Sequence, residues 1–171
     1  MQLLTFTVAG QPYAIPSRTV REVLPRVPGR PIPLLPPFVP GVFTYRGQLV
    51  PVVDLACRFG APATDPAVRR LSTRLILVEF PPPRPPGDAA TEAAEPPRLT
   101  RLGLVADDVI SIQEVPDEEA VCSGIDGDRG PFLGRLLRLG GRTVQMVVVD
   151  RLVPHDLLLE LVAVVGGAHG P

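Results

Sequence analysis

What most constrains this chain is a set of short apolar runs that alternate with a period of two and double back at glycine-containing pairs. Leu4, Phe6 and Val8 share one face of such a run, and Ala9-Gly10 then turns the chain into "QPYAIP". Strands are expected at about 41–45 and 48–54 on either side of Arg46-Gly47, and "FLGRLLRLGGRTVQMVVVD" folds over at Gly140-Gly141. Alternation sends successive side chains to opposite faces, so each run presents one face to a core. Pro51 has no N–H to give a ladder, which places it at an edge or a strand end. "RLILVEF" at 74–80 carries four consecutive apolar residues and is expected to be buried on both faces.

Helical spacing is scarce. In "SRTVREVL", Val20, Val23 and Leu24 follow a serine suited to an N-cap, and Pro25 stops the pattern, which predicts about two turns of helix. A second short helix is expected from about Leu152. The segment up to Pro40 is proline-rich and extended. "FPPPRPPGDAATEAAEPPR" has no apolar period, so about 81–98 is expected to be a disordered hairpin loop, its other reading being a polyproline ligand for an aromatic groove. Residues 166–171 are expected to form a flexible tail after a single domain over 1–165.

The chain also repeats itself. At an offset of 89, "YAIPSRTVREV" lies over "LGLVADDVISI", pairing Ile15 with Leu104, Val20 with Val109 and Val23 with Ile112. "RGQLVPVVDL" likewise resembles "GGRTVQMVVVD". Each half therefore reads strand, short helix, hairpin and a strand ending in Asp, which predicts a mainly β fold of two small, similar barrels.

A chain of 171 residues is about one domain and is long enough to bury a core without metals or disulfides. Its 17 basic residues are all arginine and are scattered, and the net charge is −1, so no footprint for nucleic acid or an anionic lipid surface appears. Cys57 and Cys122 have no second Cys or His at ligand spacing and are expected to be reduced, with no metal. The first ten residues alternate like a strand and lack a basic leader. The apolar tail is broken by Pro154, His155, Asp156 and Glu160, so neither signal peptide nor membrane span is expected, and the location is read as cytoplasmic.

Catalytic chemistry finds little footing. There are two histidines, His155 and His169, no G-x-S-x-G elbow, and no lysine for a Schiff base or a phosphate loop. Asp126 and Asp128 in "GIDGDRG" have calcium-loop spacing, but Leu137 stands where such a loop needs Glu. Asp54 and Asp150, at matching strand ends, are either a carboxylate pair or caps of the following helices, and capping is the commoner role. No enzyme activity and no cofactor are expected. Arg46 differs, because Gly47 meets the needs of the turn and no turn requires an arginine beside it. It is either a solvated turn residue or a recognition group, and composition by itself favours the first. Two Tyr and six Phe, mostly in apolar patterns, also give little basis for the alternative of a small β-barrel that binds nucleic acid or another ligand.

Taken in order, "GQPYAIPSRTVREVLP", "PGVFTYRGQLVPVVDL", "TRLILVEF" and "RLGLVADDV" resemble the CheW-like coupling proteins of bacterial chemosensory arrays over nearly the whole chain. The family motif G-V-x-N-x-R-G-x-x-V-P-V-x-D-L is kept except that Thr44 replaces Asn. The resemblance implies two SH3-like five-stranded barrels around a shared core, without catalytic activity. It also implies a non-catalytic adaptor between the cytoplasmic tip of a methyl-accepting chemoreceptor and the regulatory domain of a CheA-type histidine kinase, held at membrane-associated arrays through its partners. By motif, Val20, Glu22, Arg46 and Gly47 match receptor-binding positions, and Ile15 and Val23 are expected to line the same groove. Thr44, the proline-rich insertion and the C-terminal sequence resemble divergent members of alternative pathways such as Wsp-type surface sensing.

Overall fold

A computed structural model describes residues 1–61, 71–80, 99–116 and 130–167. The elements in chain order are β1 (Gln2–Val8), β2 (Gln11–Pro16), a 3-10 turn (Ser17–Thr19), β3 (Val20–Pro25), β4 (Gly41–Tyr45), β5 (Gln48–Asp54) and α1 (Leu55–Arg58). They are followed by β6 (Arg74–Glu79), β7 (Arg101–Glu114), β8 (Leu133–Leu139), β9 (Arg142–Val147), a 3-10 turn (Val149–Arg151) and α2 (His155–Gly167). The 81–98 stretch, Cys122, Asp126, Asp128 and His169 lie outside the described residues. Helix α2 runs to Gly167, two residues into the expected tail.

The strands form two five-stranded sheets with one member in common. Residues 101–106 of β7 pair antiparallel with β6, and residues 107–114 pair antiparallel with β1. Among the described residues one sheet runs β3-β6-β7-β5-β4 and the other β7-β1-β2-β9-β8, so the expected pair of barrels is built there from nine strands rather than ten. Each sheet curls. In the first, Leu24 of β3 packs into the same cluster as Phe43 and Tyr45 of β4, although these strands are the two ends of the sheet. In the second, Leu137 of β8 shares a cluster with Leu3 of β1 and Val115, just past the end of β7.

A third and larger cluster lies between the barrels, and period-two alternation supplies it. On β6, Leu75 and Leu77 point into the first barrel while Ile76 and Val78 point into the shared core, which explains the unbroken apolar run. Leu4, Phe6 and Val8 of β1, Leu102 and Leu104 of β7, and Leu157 and Leu161 of α2 complete that core. Burying such aliphatic side chains stabilises by roughly 1.5–3 kcal/mol each.

The helix expected at Ser17–Leu24 is absent. After one 3-10 turn the chain is strand β3, antiparallel to β6 with Val23 opposite Ile76. A two-turn helix would have left its first four N–H and last four C=O groups without intrahelical partners, whereas the apolar strand β6 offers a ladder in which alternate residues also find a core. Tertiary pairing thus overrides the local 3.6-residue spacing. The second repeat has no helix there either. β7 runs straight through, with register shifts against β1 and Asp108 at φ 44°. The positions related by the offset of 89, Ser17–Thr19 and residues 106–108, are nonetheless the two places where a strand passes from one barrel to the other.

Asp54 caps as expected: its Oδ1 accepts from the backbone N–H groups of Ala56 at 3.0 Å and Cys57 at 3.4 Å. Asp150 does not cap, since the turn it occupies begins at Val148 without a side-chain bond. Arg58 of α1 lies over Phe38 and Phe132, 4.8 and 4.3 Å from the ring centroids, and its Nε donates to the Leu152 carbonyl at 2.7 Å. It thereby ties the proline-rich segment and the C-terminal turn to the core.

Candidate functional site

The β4–β5 hairpin turns on two residues with positive φ, Arg46 at 47° and Gly47 at 77°. That combination is the mirror-image turn whose twist matches the flanking strands. The sequence accounts for Gly47 but not for Arg46, which occupies a backbone region unfavourable to any residue with a Cβ. Arg46 is exposed at the tip, with its guanidinium 5.3 Å from the centre of the Tyr45 ring.

Tyr45 organises the neighbourhood. β3 and β4 are the two end strands of the first sheet and do not pair with each other, and across the seam between them the Tyr45 hydroxyl donates to a Glu22 carboxylate oxygen at 2.5 Å. Arg101 of β7 also approaches the Tyr45 ring, at 5.5 Å, and donates through Nη1 to the Gln48 side-chain oxygen at 3.1 Å. Arg21 and Glu79 stand 3.8 Å apart, both substantially exposed. The hydrogen bond to Glu22, followed by burial and the Glu22 charge, raises the Tyr45 pKa above its ordinary 10.0, against the lowering influence of Arg46 and Arg21. The phenol therefore stays a neutral donor.

The six expected residues do not form one surface. Arg46 and Gly47 share the hairpin tip, and Glu22 is linked to it through Tyr45. Val20 and Glu22 lie on the inward face of β3, half-buried, with Val20 packed against the shared core. Val23, 39 % exposed, lies on the opposite face of that strand because the segment is not helical. Ile15 has no exposed surface and belongs to the shared core, so it supports the site without lining it. Tyr45, Gln48 and Arg101 were not anticipated. Tyr45 stood next to the Arg-Gly pair and could have been suspected, whereas Arg101 reaches the hairpin only because β7 pairs in parallel with β5, Val52 opposite Gly103.

The cations and amide of this arrangement can grip carboxylates and carbonyls beside the Tyr45 ring. Among the described residues no cluster of His, Cys, Asp and Glu could hold a metal. Burial, then the Asp54 charge, pushes the Cys57 thiol up from its ordinary pKa, the reverse of an activated nucleophile. Among the described residues no helix is long and apolar enough to cross a membrane.

Comparison with known proteins places this geometry in context. The family model described as "CheW-like domain" matches residues 2–157. The "Chemotaxis protein CheW" of Rhizobium meliloti (strain 1021) is 28 % identical over 158 residues, covering 91 % of this chain and 88 % of that protein. The "Probable chemotaxis protein CheW" of Rhizobium etli is 31 % identical over 117 residues, covering 68 % of this chain and 63 % of that one. Among solved structures, the scaffolding protein TtCheW from Thermoanaerobacter tengcongensis superposes with a TM-score of 0.71 at 20 % identity, covering 91 % of this chain and 88 % of that one, a likeness of fold.

Proposed function

The chain belongs to the CheW-like domain family, and from that premise we propose that it is a non-catalytic adaptor that docks the cytoplasmic tip of a chemoreceptor to the regulatory domain of a CheA-type histidine kinase. It works in the cytoplasm and reaches membrane-associated arrays through its partners. The names of its relatives, chemotaxis and scaffolding proteins, support that reading. The single observation that carries it is Arg46, an exposed arginine kept in left-handed backbone at a turn that would be easier with glycine.

Arg46, Gly47 and Glu22 form the receptor contact, Tyr45 and Arg101 flank it, and the kinase domain binds elsewhere. The test is Arg46→Glu. A hairpin-tip substitution shifts stability by only ~0.5 kcal/mol, whereas losing a central interface arginine costs about 2 kcal/mol or more of binding. In parallel pull-downs the variant should lose the receptor tip, keep the kinase regulatory domain and melt like the parent. Unchanged receptor binding, or loss of both partners together, refutes the assignment.

A further inference from the structure

In the β6–β7 pairing Arg101 stands directly opposite Glu79, a position at which opposite charges ordinarily stabilise a sheet. Glu79 is nonetheless taken by Arg21 of β3, at 3.8 Å, in the only ion pair among the described residues. The Arg101 side chain turns the other way, across β7 to the β4–β5 hairpin. There its Nη1 donates to the Gln48 side-chain oxygen at 3.1 Å, and the guanidinium lies 5.5 Å from the centre of the Tyr45 ring. Arg46 lies 5.3 Å from the same centre. Two guanidiniums thus share one tyrosine, while the neighbouring carboxylate, Glu22, accepts from the Tyr45 hydroxyl and from neither of them. Like charges held near one another repel, and neither the turn nor the ladder needs arginine at these two positions.

We propose that Arg101 is a second receptor-contacting residue, acting as a pair with Arg46, and that this chain selects receptor segments carrying two acidic side chains, one for each guanidinium. The inference rests on the adaptor reading and deepens it by naming the partner's chemistry. A planar guanidinium suits a carboxylate because its fork offers two parallel hydrogen bonds. Gln48 holds the half-buried Arg101 at the hairpin through one nitrogen, so the group is oriented before a partner arrives. A partner with one acid would cover the second cation without a counter-charge, which is costly once water is excluded. The pair therefore discriminates against receptors that present one acid, or a basic residue, to this surface.

The test measures dissociation constants of the full chain for the receptor tip and for the kinase regulatory domain, using Arg46→Gln, Arg101→Gln and the double variant. The receptor titration is repeated with each acidic residue of the tip changed singly to its amide. Arg101→Gln should weaken the receptor tip about tenfold and leave the kinase domain unaffected, and Arg101→Lys should recover part of the loss. Receptor affinity of the parent chain should fall more steeply with salt than that of either single variant. Two tip acids should matter, one whose loss is not additive with Arg101→Gln and another whose loss is not additive with Arg46→Gln. If Arg46→Gln weakens the receptor and Arg101→Gln does not, this proposal is overturned while the adaptor reading stands. If neither weakens it, the receptor assignment of Arg46 falls and takes this proposal with it. One acid coupled to both arginines, or an equal loss of kinase binding in Arg101→Gln, also overturns the pair. Should Arg101→Gln fail to fold, the tip substitutions still decide, because a second acid must exist whose loss adds to that of Arg46→Gln.

Discussion

Arg46 adopts φ 47°, which costs a residue with a Cβ about 1–2 kcal/mol relative to ordinary backbone, while its guanidinium over the Tyr45 ring returns ~0.5–1 kcal/mol. The balance favours glycine. Arg46→Gly should therefore melt at the parent temperature or slightly above, yet lose receptor binding as fully as Arg46→Glu does; a variant that unfolds more easily would show that the arginine serves the turn. Tyr45 gives a second test at this scale. Its pKa is raised in the folded chain, first through the bond to Glu22, so the neutral phenol is favoured by folding. Its contribution is complete below the ordinary value of 10.0 and declines as pH rises through the higher folded value. Tyr45→Phe should have a lower melting temperature at neutral pH, and its deficit should shrink above pH 10. A deficit independent of pH would place the loss in packing and not in the hydroxyl.

Strand β4 owes its place to a crossing that the alternating pattern does not reveal. The proline-rich segment lies along it, with Arg30 N donating to the Val42 carbonyl and Val42 N to the Arg30 carbonyl at 2.6 and 3.0 Å. Those bonds use the side of Val42 that does not face Pro51, its partner in the hairpin. Pro51 is accordingly tolerated inside β5, where pairing with β7 begins only at the next residue, Val52. Beside this crossing a Cβ on Gly41 would collide with the Arg30 carbonyl oxygen. Gly41→Ala should lose ~1–3 kcal/mol, the usual range for overpacking, read as a lower denaturation midpoint with unchanged slope. Parent-like stability would mean that the 28–31 segment is free to move off β4.

The two barrels cannot be separated into two lengths of chain. β1 and β2, from the N-terminus, belong to the second barrel, β3 to β6 belong to the first, and β7 is common to both. The largest apolar cluster takes residues from both sheets and from α2. A single cooperative unit is the consequence, so heat should unfold the protein in one transition with equal calorimetric and van't Hoff enthalpies. Two resolved transitions would show that one barrel survives the other.

Much of the local architecture was legible in advance because its causes are local. The hairpins at Ala9-Gly10, Arg46-Gly47 and Gly140-Gly141, the doubly buried run of β6 and the cap on Asp54 all follow from period-two alternation, positive-φ turns and side-chain hydrogen bonding between near neighbours. The repeat at an offset of 89 marked the two crossovers without revealing what they were. Of the candidate site, Arg46, Gly47 and Glu22 were named from the sequence, and the structure brings them together around Tyr45. Long-range pairing decided the rest. Helical spacing at Ser17–Leu24 gave way to strand because β6 lay ready to pair, which sent Val23 outward and left Glu22 facing inward. Tyr45 joined Glu22 across a seam between strands that are not paired, and Arg101 arrived on a strand more than fifty residues away. Alternation fixes which side of a strand a residue occupies, but only the closing of the sheet fixes what faces it, and Ile15 was carried into the core for that reason.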